Sequence, residues 1–213
     1  MPIDEAALSR SLELLTDGLT TVPSTVALTT RLAVVVSAAQ DVLGVEAVGL
    51  LLLSDTSQLR TVASTGPASA ALERAQEELG VGPGVDTLRT EATVVVADLR
   101  AEAAYAPLWH RIGAAGVRAV VAAPVSVDRE VVGNLNGMRR QPHVWSADEV
   151  AAVEAFAGVI GTLLGMTARS TPRALLDAVG QPGHDRPGSG RSSSDGHCEE
   201  RHRGPTSGGG SWR

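Results

Sequence analysis

The chain has 213 residues, 43% of them hydrophobic, and a formal net charge of −6 at pH 7. That length supports one ordinary domain with appendages, and the acidic balance argues against nonspecific nucleic-acid binding by the whole chain. All 18 basic residues are arginine, which excludes a GxxxxGK[ST] phosphate loop and lysine-based covalent catalysis.

Amino acids with AT-rich codons are scarce as a group, which points to a GC-rich genome. The acidic N-terminus MPIDEAALSR has no signal-peptide pattern. Continuous apolar runs such as Val48–Leu53 fall far short of a membrane span. A cytoplasmic protein with no membrane association is expected. The single cysteine, Cys198, cannot form an internal disulfide.

In chain order, Asp4 to Leu19 reads as a helix with Leu8, Leu12, Leu15 and Leu19 on one stripe. Pro23 interrupts it, and Ser24 can cap a second helix running to about Leu43. Leu28, Leu32, Val35, Ala39 and Val42 step along that helix at helical spacing. Gly44 ends it. Val45–Ser54 and Leu59–Thr65 then read as an antiparallel hairpin turning at Asp55-Thr56-Ser57. Pro67 to Leu79 is a helix, stopped by the glycines of Gly80–Gly84. That Gly-rich stretch is either a helix stop and turn or a phosphate cradle. Val85–Thr90 suits one helical turn.

Thr93–Ala97 is a short strand ending at Asp98, and Glu102–Ala115 a helix carrying Tyr105, Trp109 and His110. Val117–Val127 and the apolar residues from Val131 to Met138 form two strands that reverse at Asp128-Arg129-Glu130. This hairpin belongs at the centre of a sheet. Ser146 and Glu149 make a capping box, with Trp145 placed to staple onto Val150. The helix they open runs to about Arg169, with a stripe of Val150, Val153, Ala157, Ile160 and Leu164, widened by Phe156 and Leu163. From Thr171 onward Ser, Gly, Pro, Arg and His dominate, a composition that predicts disorder.

The order helix, two strands, helix, strand, helix, two strands, helix resembles the GAF domain. The segments Leu59–Thr65, Gly82-Pro83-Gly84-Val85-Asp86, Gly116-Val117-Arg118, Pro124-Val125 and Gly133-Asn134-Leu135-Asn136 look like actinobacterial GAF modules that precede an ANTAR RNA-binding domain. The resemblance covers residues 24–170. It implies an α/β (α+β) fold, a central antiparallel sheet flanked by helices, and a cytoplasmic, often dimeric regulatory module. Its ligands would be small molecules held between the sheet and its covering helices. Domain limits follow as an amphipathic N-terminal helix over 1–23, the GAF-like domain over 24–170 and a tail over 171–213.

Departures from the family matter. Chromophore-attaching and methionine-sulfoxide-reducing relatives need cysteines, and residues 1–197 contain none. The cyclic-nucleotide signature needs a lysine. The position after Gly-Pro-Gly, often cysteine in close relatives, is Val85. The ANTAR start is absent as well; Gly180–Arg191 reads GQPGHDRPGSGR. A shift of one nucleotide over Gln181–Arg191 permits a Ser-Arg-Val-Met-Ile-Gly-Gln-Ala-Arg-Gly reading, so the tail is either native or a frameshifted remnant. RNA is a partner only where such a domain is present.

Tyr105, Trp109 and His110 are candidate ligand-binding residues because aromatic side chains beside a few polar groups suit a pocket; the alternative is that Tyr105 and Trp109 form one core face. Asp86 and Arg118 can orient a polar ligand or be ordinary surface charges. His110 as a haem ligand is disfavoured by its neighbour Arg111. Leu28, Leu32, Val35, Val153, Ile160 and Leu164 are candidate dimer-interface residues if their stripes form a coiled-coil-like seam; otherwise they pack on their own sheet. His184, His197, Cys198 and His202 lack the paired spacing of a zinc site, and no GxSxG elbow is present. The reading is a non-catalytic sensory module that binds a small molecule, with no cofactor specified, and signals through its terminal helices in transcription regulation. Its alternatives are a ligand-free dimerisation scaffold and, with an intact ANTAR domain, an RNA-binding antiterminator.

Overall fold

The computed structural model of the chain describes residues 28–170. The expected N-terminal helix, the start of the second helix at Ser24 and the tail from Thr171 lie outside the described residues. Helix α1 spans Leu28–Leu43, followed by β1 (Ala47–Leu53), β2 (Leu59–Ser64), α2 (Pro67–Leu79) and α3 (Pro83–Thr90). Then come β3 (Val94–Val96), α4 (Ala106–Ile112), β4 (Ala119–Val127), β5 (Glu130–Arg139) and α5 (Ala147–Ser170).

The strands form one five-stranded sheet in the order β2-β1-β5-β4-β3. All its pairings are antiparallel. The β4–β5 hairpin is central, as its apolar pattern requires. A strand with neighbours on both edges and helices on both faces has few positions for polar side chains. The hairpin turns at Asp128 and Arg129, with φ of 49° and 73°. Two successive positive φ values are the signature of a tight turn whose twist matches that of the flanking strands.

Two apolar layers lie on opposite faces of the sheet. On the first, Val48, Leu50, Leu52, Val121, Ala123, Val125 and Leu135 pack with α1 and α5. On the second, Ala47, Val120 and Met138 pack with α2, the turn at Tyr105 and α4. Alternation along each strand sorts these two sets.

Residues Leu28, Leu32, Val35, Val153, Ile160 and Leu164 all belong to the first layer and are at most 7% exposed. This corrects the dimer-seam expectation for these six. They are enclosed by the chain's own sheet, so their helical stripes are intramolecular packing. Val42, expected on the α1 stripe, is 36% exposed, while Val36 and Leu43 are buried.

Helix α5 is the best-anchored element. The Ser146 N–H donates to Glu149 Oε2 at 2.8 Å and the Glu149 N–H to Ser146 Oγ at 3.2 Å, the expected capping box. Arg139 Nη2 lies 3.0 Å and His143 Nε2 2.9 Å from the same carboxylate. Burial alone would raise the Glu149 pKa; the Ser146 N–H, His143 and Arg139 overcome it and bring it to about 2. Trp145 is buried, and its Nε1 donates to Val96 O at 3.2 Å, which ties the helix start to the edge strand β3. Over Ala147–Arg169 the helix is long and apolar enough to cross a membrane, but half of that window is buried inside the protein, as in a core helix.

Two element boundaries differ from expectation. The Glu102–Ala115 helix is broken into the 3-10 turn Ala103–Tyr105, α4 and the 3-10 turn Gly113–Ala115. Pro107 in the first turn of α4 lacks the N–H that would continue an upstream helix. The Gly80–Gly84 stretch is not wholly a turn. Pro83 opens α3 inside it, because proline is pre-set for the first helical position.

Candidate functional site

The second face of the sheet carries an unusual centre. The register places Asn136 between Gly49 of β1 and Ala122 of β4. Asn134 lies between Leu51 and Pro124. Both asparagines are fully buried, and the positions flanking Asn136 across the sheet are small.

Helix α2 lowers polar residues onto this patch. Ser69, Glu73 and Gln76 are buried on its inner side among Ala68, Leu72 and Ala75. A Cβ at Gly49 would sit 2.0 Å from Glu73 Oε1, so only glycine leaves room for that carboxyl. Asn136 Nδ2 donates to Glu73 Oε1 and Oε2 at 2.9 and 2.8 Å. Gln76 Nε2 donates to Glu73 Oε2 at 2.8 Å. Asn134 Nδ2 donates to Asn136 Oδ1 at 2.9 Å.

Helix α3 closes the cluster from above. The Gly84 N–H donates to Gln76 Oε1 at 2.7 Å. That N–H can only donate, which orients the Gln76 amide with its nitrogen toward Glu73. Thr87 Oγ1 donates to Ala122 O at 3.1 Å, fixing the other end of α3 to β4. One acceptor stays without a donor: Asn134 Oδ1, beneath Gly84.

Glu73 is 0% exposed, and no ion pair among the described residues includes it. Burial drives its pKa up; the bonds from Asn136 and Gln76 oppose this and the field of Glu77 adds to it, and the result is about 8. A carboxyl that stays protonated near neutral pH without a counter-ion is a costly thing to keep in a core. Such groups concentrate at functional sites.

The five ligand-binding candidates form two pairs and a bystander. Tyr105 OH donates to Asp86 Oδ2 at 2.7 Å, joining the turn before α4 to α3. Burial, and then Asp86, raise the Tyr105 pKa, so the phenol keeps its proton. Arg118 donates to both Asp98 oxygens at 2.8 and 2.5 Å and lies 5.6 Å over the Trp109 ring. Its bond to Asp98 holds that carboxyl below the usual range. His110 is exposed. The Asp86–Tyr105 pair borders the buried cluster by holding α3; Trp109 and Arg118 brace the chain near Asp98.

Sequence reasoning assigned no role to Glu73, Gln76, Asn134 or Asn136. The signals were present. Ser69, Glu73 and Gln76 recur at i, i+4, i+7 beside the apolar stripe of α2, and Asn134 and Asn136 alternate with Leu135 in a strand otherwise buried. A cavity of about 350 Å³ lies elsewhere, against the outer side of α2 and α4, between Pro67, Ala71, Arg74, Arg111 and Ile112. No group of three or more His, Cys, Asp or Glu suited to a metal occurs among the described residues.

The sequence profile of the GAF domain matches residues 27–164. No curated protein matches the chain. Among solved structures, the GAF domain of a phosphoenolpyruvate-protein phosphotransferase from Coxiella burnetii is 20% identical, with a TM-score of 0.62 over 78% of this chain and 96% of that one. The corresponding Acinetobacter GAF domain is 19% identical, with a TM-score of 0.61 over 78% and 96%. Free methionine-R-sulfoxide reductase from Neisseria meningitidis, solved with its substrate, is 17% identical, with a TM-score of 0.60 over 78% and 93%. At these identities the likeness is one of fold.

Proposed function

The chain belongs to the GAF domain family, matched over residues 27–164, and on that premise we propose that it is a non-catalytic sensory module whose ligand site is the face under α2 and α3. GAF domains are generally sensory or regulatory modules that bind small molecules and often dimerise, although the Neisseria reductase shows that the fold also carries an enzyme. The carrying observation is the buried cluster of Glu73, Gln76, Asn134 and Asn136. It sets a hydrogen-bonding patch with one unpaired acceptor onto a sheet face where Gly49 gives the Glu73 carboxyl room. The absence of cysteine from residues 1–197 supports a non-catalytic role.

The route to an output is short. A ligand reaching the cluster has to displace the Gly84–Gln76 bond and lift α3. The strand that carries Asn134 and Asn136 presents Leu135 to the opposite layer, where it packs with α1 and α5. A ligand shifts this arrangement only by its differential affinity for the two states. The output would reach transcription through α1 and α5 and whatever they join, in the cytoplasm. RNA binding would need an ANTAR-type domain, and residues 171–213 lie outside the described residues.

Dimerisation would use the outward side of α1 and α5. Val34 is 51% exposed, Gly158 and Thr162 are exposed, and no charged residue occurs between Glu154 and Arg169. A second reading, a scaffold without ligand, draws on the hydrogen bonds that Glu73, Gln76, Asn134 and Asn136 make to one another. Native mass spectrometry of the full chain separates the two. A dimer carrying a discrete added mass, lost in Asn136→Leu, supports the sensor. A dimer without added mass from every host supports the scaffold. Val34→Glu together with Gly158→Arg gives folded monomers, whereas Leu32→Glu unfolds the domain; a folded monomer from Leu32→Glu would overturn this assignment of faces.

A further inference from the structure

The chemistry of the buried cluster specifies a class of ligand, an inference that rests on the ligand-binding reading of this face. Its donor nitrogens, Asn136 Nδ2, Asn134 Nδ2, Gln76 Nε2 and the Gly84 N–H, each already bond within it. One acceptor of the cluster, Asn134 Oδ1, is buried and receives no donor. A group entering between α3 and the sheet therefore meets one open oxygen acceptor and one ionisable carboxyl. A ligand without a hydrogen-bond donor would leave Asn134 Oδ1 unpaired at the usual cost of a buried, unsatisfied group.

We propose that this site recognises a small molecule through a protonated nitrogen, such as a primary ammonium, an amidinium or a protonated ring nitrogen, held between the Glu73 carboxylate and Asn134 Oδ1 beneath α3. Entry requires α3 to move, and left-handed or glycine backbone flanks it at both ends. Gly80 and Gly82 precede it with φ of 62° and 149°, and Glu91 follows with φ of 55°. The Tyr105–Asp86 bond holds α3 down in the closed state.

Recognition of a cation is coupled to a proton. In the closed state Glu73 holds its proton near neutral pH, and a cation favours the ionised form, so binding releases that proton. Few other charges face the group. Glu77 lies one turn along on α2 and raises it; Arg60 of β2 pairs with Glu77 at 3.9 Å, and Arg111 of α4 pairs with Glu78 of α2 at 2.8 Å. On α3, Asp86 pairs with Arg89 and Tyr105. On β5, Glu130 and Arg139 stand at the strand ends, and β1 carries no charged residue. The apparent affinity should rise about tenfold per pH unit below the Glu73 pKa.

The test uses the full chain labelled with ¹⁵N and follows the side-chain amide signals of Asn134, Asn136 and Gln76. The probes are n-propylammonium chloride, propionamide and sodium propionate, each at pH 6.0 and pH 7.5. The expected result is that the ammonium alone moves these signals, more than tenfold more tightly at pH 7.5, and that Glu73→Gln, folded by its backbone amide spectrum, loses the response. If propionamide or propionate moves them and the ammonium does not, the ligand-binding face stands and the cation class is overturned. An ammonium response equal at both pH values, or retained in Glu73→Gln, overturns the role of Glu73. If no probe moves the signals, both the class and the ligand-binding reading of this face are overturned.

Discussion

Replacing Glu73 by glutamine should stabilise the protein at neutral pH, although it alters a residue that makes three buried hydrogen bonds. In the unfolded chain Glu73 titrates near its ordinary value of 4.5; in the folded protein burial raises it to about 8. Below the lower value both states are protonated and nothing is lost. As pH rises above it, the unfolded state ionises while the folded state retains its proton, so stability falls by about 1.4 kcal/mol per pH unit. At pH 7.0 the loss is about 3 kcal/mol, and it levels off above the folded-state value. Glutamine has the same shape and no charge. Its amide nitrogen faces at least one donor that the carboxyl accepted, at a cost of about 1 kcal/mol. The net expectation is a gain of about 2 kcal/mol at pH 7.0, which corresponds to a rise in Tm of about 4–8 °C for a domain of this size. At pH 5.0 the two proteins should be nearly equal. Urea denaturation of both at pH 5.0, 6.0, 7.0 and 8.0 reads this directly. Parallel stability curves across that range would refute the reasoning, because they would mean that Glu73 ionises in the folded state as freely as in the unfolded one.

Three further outcomes follow from the geometry. Glu149→Gln should cost about 2 kcal/mol at pH 7, since its folded pKa of about 2 makes its contribution present above the ordinary carboxylate value and lost as pH falls toward 2; urea titrations at pH 7 and pH 3 should show the difference shrinking in acid. Gly49→Ala should destabilise by about 1–3 kcal/mol through overpacking against the Glu73 carboxyl, and thermal melts should show a smaller effect in a Glu73→Ala background. Arg129→Gly should stabilise the β4–β5 hairpin by up to about 1 kcal/mol, because φ there is 73° and glycine adopts it without a side-chain penalty; an unchanged or lower Tm would count against the turn geometry.

Local pattern alone determined most of the architecture. The β4–β5 hairpin was legible from unbroken runs of valine and small residues around Asp128-Arg129, because a strand covered on both faces has little polar alternation. The start of α5 was legible because a capping box is a local hydrogen-bond arrangement between Ser146 and Glu149. The stripes on α1 and α5 were equally legible, but a stripe states only that a helix buries one side. Whether Leu32 and Ile160 face the chain's own sheet or a second copy depends on where the sheet lies, and tertiary packing encloses both. The candidate site depended on it further still. Glu73 and Asn136 are 63 residues apart. They meet because the register sets Asn136 between Gly49 and Ala122 and because α2 crosses that gap. A glutamate on a helix reads as solvated until the sheet beneath it is known, and the missing Cβ at Gly49 is what gives it room. Desolvation, which turns that ordinary carboxyl into a group holding its proton near neutral pH, is a property of the assembled layers and of no single stretch of sequence.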